Sequence, residues 1–133
     1  MTISDIEGVG EAQAAKLAAA GIKTVEALLE NAKSAAERSN LAEKTGISEK
    51  TILEWVNRAD LYRIKGVGSE ISDLLEAAGV DSVPELANRN AENLYKTLEE
   101  VNTQKKLVRS IPTLSEVTAF INQAKDLDKM VTH

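Results

Sequence analysis

The stretch Ile64-Lys65-Gly66-Val67-Gly68 has a counterpart near the start of the chain, Ile6-Glu7-Gly8-Val9-Gly10. In both copies a further glycine, Gly21 or Gly79, stands eleven residues after the last glycine of the stretch. A shift of 58 residues superimposes the two copies, and apolar positions continue to align beyond these glycines. A repeat with a fixed period indicates that the chain is a tandem duplication.

The two copies lose their register further along the chain. Trp55-Val56-Asn57-Arg58-Ala59 corresponds to Phe120-Ile121-Asn122-Gln123-Ala124, which requires about seven more residues in the second copy. The second copy therefore carries a short insertion. Since Trp55 and Phe120 occupy equivalent positions on apolar helical stripes, we predict that both are core residues.

The junction between the copies lies near Leu61 and Tyr62 and contains no Gly, Pro or Ser. A flexible linker would be rich in Gly and Ser. In addition, a copy of roughly 60 residues is small for an independent core. We therefore expect two similar halves that pack together, a first repeat unit over 1–59 and a second over 60–128. Residues 129–133 are expected to form a frayed tail.

Helix signals recur in both copies, and no stretch alternates like a strand. Gly21 and Gly79 are typical C′ residues, while Thr24, Ser82 and Asn90 are typical N-caps. Ser115 is the expected N-cap of the last helix. The predicted helices cover 11–20, 25–31, 34–44, 49–58, 69–78, 83–89, 91–102 and 115–127. With a short helical segment before each Gly-Val-Gly turn, we predict an all-α fold of about ten short helices in two sets of five.

Composition limits both the core and the partners. The 133 residues are 43% hydrophobic but only 3% aromatic, so Ala, Leu, Ile and Val must supply the core. The formal net charge of −5 opposes recruitment of a polyanion by the molecule as a whole. The sequence contains no cysteine, no apolar run long enough to span a membrane and no secretory leader at its start. A cytoplasmic protein without a membrane contact is therefore expected.

Residues for enzyme chemistry are difficult to identify. The sequence lacks cysteine, and its one histidine, His133, lies in the predicted tail. The run Gly66-Val67-Gly68-Ser69-Glu70 has no Walker lysine, and neither turn has the third glycine of a dinucleotide-binding motif. We therefore predict a protein that is not an enzyme and that needs no cofactor and no metal.

The Gly-Val-Gly turns have a simple physical purpose. Glycine permits the positive φ of a tight turn and lets two helices approach closely. The helix that follows begins with N–H groups that have no helical acceptor and with the positive end of the helix dipole, which together favour an anion. Each turn could therefore bind a phosphate, or could serve only to pack two helices.

Charged neighbours distinguish the two turns. Asp5, Glu7 and Glu11 surround the first turn, so we predict a purely structural role for its three residues, Gly8, Val9 and Gly10. Basic side chains flank the second turn. Its candidate phosphate-binding residues are Arg63, Lys65, Gly66, Val67, Gly68 and Ser69. A further basic group near Pro112 comprises Lys96, Lys105, Lys106 and Arg109, but Glu99 and Glu100 lie beside it, so we interpret it as a solvated helix face.

The turn resembles that of the helix-hairpin-helix superfamily, whose SAM-like hairpins hold nucleic-acid phosphates with backbone N–H groups. A second resemblance spans most of the chain and concerns a bacterial and plastid family, domain of unknown function 4332. The stretches that carry it are Thr45-Gly46-Ile47-Ser48, Trp55-Val56-Asn57-Arg58-Ala59-Asp60-Leu61, Arg63-Ile64-Lys65-Gly66-Val67-Gly68, Leu74-Leu75-Glu76-Ala77-Ala78-Gly79-Val80, Val101-Asn102 and Lys105-Lys106-Leu107-Val108. This resemblance implies tandem helix-hairpin-helix repeats and no established activity.

The leading functional hypothesis is weak contact of the second hairpin with DNA or RNA backbone, without sequence preference. The alternative is a protein-interaction or scaffold module in which both hairpins serve only for packing. A third hypothesis is a sensor of small anions or nucleotides at the same helix N-terminus.

Overall fold

The structure is a computed structural model that describes residues 1–132. Over these residues the chain is all-helical, as predicted, and forms no β-strand. A short 3-10 helix at Ile3–Asp5 precedes eight α-helices: α1 (Glu11–Ala19), α2 (Val25–Asn31), α3 (Ala35–Thr45), α4 (Glu49–Leu61), α5 (Ser69–Ala77), α6 (Val83–Ala87), α7 (Ala91–Lys105) and α8 (Leu114–Asp126). None of the helices in this part of the chain is long and apolar enough to cross a membrane.

The helix count differs from the predicted ten because of the segments that precede the two glycine turns. The first segment is only the three-residue 3-10 helix Ile3–Asp5. The second is not a separate helix, because α4 continues through to Leu61. Ala59 and Leu61 are both buried, so the apolar stripe of α4 continues to its last turn.

Helix starts follow from local capping, mostly where the sequence predicts it. The side chains of Thr24, Ser82 and Asn90 accept hydrogen bonds from backbone N–H groups of the first turns of α2, α6 and α7. The predicted cap of α8 was wrong, because Thr113 and not Ser115 occupies the N-cap. Thr113 is the N-cap because it forms a reciprocal capping box with Glu116, with N···O distances of 3.0 and 3.1 Å.

The chain divides into two compact units. Unit 1 comprises Met1–Asp60 and the residues from Lys129 onward, and unit 2 comprises Leu61–Asp128. In unit 1, α1 to α4 bury a core that includes Leu17, Leu28, Ile52 and Val56. Each unit is thus a set of four α-helices with its own apolar interior.

Aliphatic side chains from every helix of unit 2 build its core. The buried residues are Leu61, Ile64, Val67, Leu74, Leu75, Val80, Val83, Leu86, Leu94, Leu98, Val117, Phe120, Ile121 and Ala124. Helix α8 packs against α6 and α7, and α5 packs against α7. One phenylalanine among many aliphatic residues agrees with the core composition expected from the sequence.

The expectation of a frayed tail was wrong for Val131 and Thr132. Val131 is buried, and the Thr132 N–H donates to the Lys33 carbonyl at 2.9 Å. The buried Arg38 guanidinium donates to the carbonyls of Ala32 and Lys33, at 3.1 and 2.8 Å, and also to that of Thr132. An apolar side chain and a paired backbone fix this segment within unit 1. His133 lies outside the described residues.

Candidate functional site

The two Gly-Val-Gly turns have the same backbone geometry. Gly8 and Gly66 have φ values of 92° and 93°, in the left-handed region that favours glycine. The central valine N–H of each turn donates to the isoleucine carbonyl three residues earlier, at 3.1 Å in both copies. The last glycine of each turn, Gly10 or Gly68, is extended and is the N-cap of the following helix, α1 or α5.

Each turn packs against the aromatic residue of its own copy. A Cβ atom on Gly8 would lie 3.6 Å from Trp55 Nε1, which is an ordinary contact. A Cβ atom on Gly66 would lie 2.8 Å from Phe120 Cε1, which is closer than real Cβ atoms come. Trp55 and Phe120 are each 5% exposed, so the prediction that both are core residues is confirmed. Each glycine turn therefore packs against a buried aromatic side chain, Gly8 against Trp55 and Gly66 against Phe120.

The predicted binding residues of the second turn differ in exposure. Lys65 and Gly66 are exposed, while Arg63, Gly68 and Ser69 are half-buried. Val67 is different, because its side chain is 4% exposed and its N–H donates to the Ile64 carbonyl. Val67 therefore shapes the turn, and the surface of the turn consists of its neighbours.

A side-chain amide holds Lys65 in place. The Lys65 N–H donates to Gln123 Oε1 at 2.9 Å, and the Lys65 carbonyl accepts from Gln123 Nε2 at 3.3 Å. Both backbone groups of Lys65 are thus satisfied, and its charged side chain remains at the surface. Arg63 is more constrained, because its Nη1 donates to the Asp128 carbonyl at 3.0 Å. Its guanidinium fixes the end of α8 as well as adding charge.

The start of α5 has the features of an anion-binding helix terminus. The N-cap is Gly68, which has no side chain to cap the first turn. First-turn N–H groups have no acceptor within their own helix, and the helix dipole adds partial positive charge there. Glu70 lies in the same turn and is exposed. Its carboxylate stabilises the helix terminus and also competes with any external anion.

The first turn has acidic surroundings on the surface. Glu7 and Glu11 are exposed. Asp5 is exposed as well, and its carboxylate accepts from the Thr2 N–H at 2.9 Å. A phosphate approaching Gly10 would therefore meet carboxylates alone, whereas the second turn has exposed Lys65 as well as exposed Glu70.

A groove in unit 2 lies beside the first turn of α5, and the sequence did not reveal it. The groove has a volume of about 590 Å³ and is lined by Glu70 and Ile71 of α5 and by residues 106–110 of the α7–α8 connection. Lys106 and Arg109 are exposed along it. These two residues belong to the basic group that was interpreted as a solvated helix face, whereas Lys96 and Lys105 do not line the groove. The one feature of the sequence that pointed to this groove was the insertion in the second copy, which contains Lys106 and Arg109.

Residues 1–132 contain no group of three His, Cys, Asp or Glu side chains placed to hold a metal ion.

Comparison with known proteins identifies one family, described as Domain of unknown function (DUF4332), whose model matches residues 7–127. The match confirms the resemblance to domain of unknown function 4332. No curated protein and no solved structure matches the chain.

Proposed function

The chain belongs to the DUF4332 family, and we propose that it is a non-enzymatic, cytoplasmic protein of tandem helix-hairpin-helix repeats. In this proposal the second hairpin, residues 61–77, contacts the backbone of DNA or RNA without sequence preference. The first hairpin, which ends in α1, has a structural role only.

One observation carries the proposal. Lys65 and Gly66 are exposed on a turn that leads directly into α5, whose N-cap, Gly68, has no side chain to cap the helix. Backbone N–H groups, a glycine that permits close approach and a neighbouring ammonium group match the requirements of a phosphate. The equivalent position to Lys65 in the first copy is Glu7, which has the opposite charge.

The geometry favours contact with phosphates over contact with bases. Phosphate contacts from amides and lysines position a protein on nucleic acid but read no sequence. No exposed aromatic side chain lies on residues 64–68, and the aromatic ring that packs against Gly66, Phe120, is buried. With a net charge of −5 for the whole chain, we expect weak binding that depends strongly on salt.

A second function is favoured by the packing of the glycines. The positive φ of Gly8 and Gly66, together with the close approach of Phe120 to Gly66, already explains why both positions need glycine. Under this alternative the hairpins are packing devices, and the chain is a protein-interaction or scaffold module. The two proposals differ in what they predict for Lys65, which packing alone does not require.

The test is binding of fluorescein-labelled DNA and RNA of mixed sequence, measured by fluorescence anisotropy at about 50 and about 200 mM salt. We expect Lys65→Glu to weaken binding by about tenfold, the cost of losing one charge-assisted contact. Lys23→Glu is the matched control, since Lys23 is exposed in unit 1 and the charge change is identical. No binding by the unmodified protein at the lower salt, or equal binding by both variants, would favour the scaffold alternative.

A further inference from the structure

The insertion of the second copy lies in the connection between its last two helices. In unit 1 only residues 46–48 separate α3 from α4. In unit 2 residues 106–113 separate α7 from α8. The connection is therefore five residues longer in unit 2 and holds most of the extra residues. It belongs to the copy whose glycine turn has basic neighbours.

The charge of this loop is entirely positive. Lys105, at the end of α7, and residues 106–113 include three basic side chains and no carboxylate. Lys105, Lys106 and Arg109 are exposed, and Leu107 is 40% exposed between them. In a chain with net charge −5, this is a local surface that attracts anions.

The loop is held in a defined conformation by one amide side chain. Asn102 Nδ2 donates to the Val108 carbonyl at 3.0 Å, and the Val108 N–H donates to Asn102 Oδ1 at 3.0 Å. Lys106 caps α7 with a left-handed backbone, φ 50°, and its N–H donates to the Asn102 carbonyl at 2.8 Å. Because the backbone is fixed on both sides of Leu107, the loop loses little conformational entropy when a ligand binds.

The loop and the second hairpin share one surface. Lys106 and Arg109 line the same groove as Glu70 and Ile71, which lie one and two residues after Ser69. The basic side chains of the insertion therefore lie along a groove whose other side is the first turn of α5, the helix that follows the Gly66-Val67-Gly68 turn.

We propose that the 105–110 loop is a second nucleic-acid contact, in which Lys106 and Arg109 bind phosphates of the same strand that the second hairpin contacts. This inference rests on the proposed function and adds a site to it. The positive charge of Lys106 and Arg109 along the loop side of the groove is complementary to a phosphodiester backbone. Glu70 is the one carboxylate among the groove-lining residues and opposes the binding of that backbone.

The experiment uses the full chain and the same labelled DNA and RNA probes. In Lys106→Gln/Arg109→Gln, both charges are removed while a polar side chain remains at each position. We expect weaker binding and a slope of log affinity against log salt that is smaller by about 1.8, which corresponds to two phosphate contacts. Lys96→Gln/Lys125→Gln, exposed positions on α7 and α8 that do not line the groove, should leave the slope unchanged.

Glu70→Gln tests the same surface in the opposite direction. Removing the opposing carboxylate should tighten binding several-fold, a gain that damage to the fold would not produce. Thermal melting of each variant shows whether its fold is intact.

The outcomes separate this inference from the proposed function. If Lys65→Glu weakens binding but the double Gln variant keeps the affinity and the salt slope of the unmodified protein, the loop contact is wrong and the hairpin contact stands. If the double variant weakens binding and Lys65→Glu does not, the loop contact stands alone. If no probe binds, or an acidic peptide binds the loop in place of nucleic acid, the inference is overturned.

Discussion

Phe120 lies so close to Gly66 that a Cβ atom at residue 66 would come within 2.8 Å of the ring carbon Cε1. The equivalent contact in the first copy, between Gly8 and Trp55, leaves 3.6 Å. Both glycines have positive φ, so a larger residue is strained at either position. Only at Gly66 does a steric clash with the core add to that strain.

We therefore expect Gly66→Ala to destabilise the protein more than Gly8→Ala does. Backbone strain alone costs about 1–2 kcal/mol, and overpacking against Phe120 adds about 1–3 kcal/mol. Urea denaturation measures both free energies of unfolding. In the double variant Gly66→Ala/Phe120→Leu the two losses should be less than additive, because the smaller side chain relieves the clash. Full additivity would show that the ring does not constrain the turn.

Gln123→Glu should destabilise the second turn. The variant loses the Nε2 donor to the Lys65 carbonyl and places a carboxylate oxygen against that carbonyl, at a cost of about 1–2 kcal/mol. Asn122→Asp is the control, since it makes the same chemical change at the adjacent, exposed position of α8. Hydrogen exchange at the Lys65 amide reports on the turn directly. Equal effects of the two variants would show that the Gln123 contact adds no stability.

Asn102→Ala should loosen the α7–α8 loop while leaving its charge unchanged. The Val108 N–H loses its acceptor, so its hydrogen exchange should become faster, with a loss of about 1 kcal/mol in stability. Asn93→Ala, at an exposed position near the start of the same helix, serves as the reference. Unaltered exchange at Val108 would mean that the amide does not hold the loop.

Arg38→Met should release the C-terminal segment. The buried guanidinium donates to the carbonyls of Ala32, Lys33 and Thr132. Methionine removes these donors, including the one to the carbonyl of the buried Ala32, at a cost of about 1–3 kcal/mol. Limited proteolysis after Lys129 should then become faster. Lys44→Met, on the exposed side of α3, controls for the loss of a positive charge. If both variants resist proteolysis after Lys129 as well as the unmodified protein does, Arg38 does not hold the C-terminal segment in place.

The sequence predicted what depends on local rules. Positive φ at Gly8 and Gly66, and the caps Thr24 and Ser82, follow from the chemistry of a few adjacent residues. The exception, the start of α8, arose because Ser115 and Thr113 both suit an N-cap and only the pairing with Glu116 decides between them.

Contacts between distant residues account for what the sequence did not predict. Gln123 pairs with a residue 58 positions earlier, and Thr132 with one 99 positions earlier. Neither pairing leaves a periodic pattern in the sequence. The groove was missed for the same reason, since Lys106 becomes a neighbour of Glu70 only when α5 packs against α7. The one hint in the sequence was the insertion of the second copy, because Lys106 lies in it whereas Lys96 does not.

The docking of Val131 and Thr132 into unit 1 has a consequence for synthesis on the ribosome. Unit 2 is continuous in the chain, whereas unit 1 contains Met1–Asp60 and a segment that begins at Lys129. Translation proceeds from the N-terminus. The hydrogen bonds of the Lys33 carbonyl and the Arg38 guanidinium with Thr132 can therefore form only after all of unit 2 has been synthesised. The unit that is translated first is therefore the one whose structure is completed last.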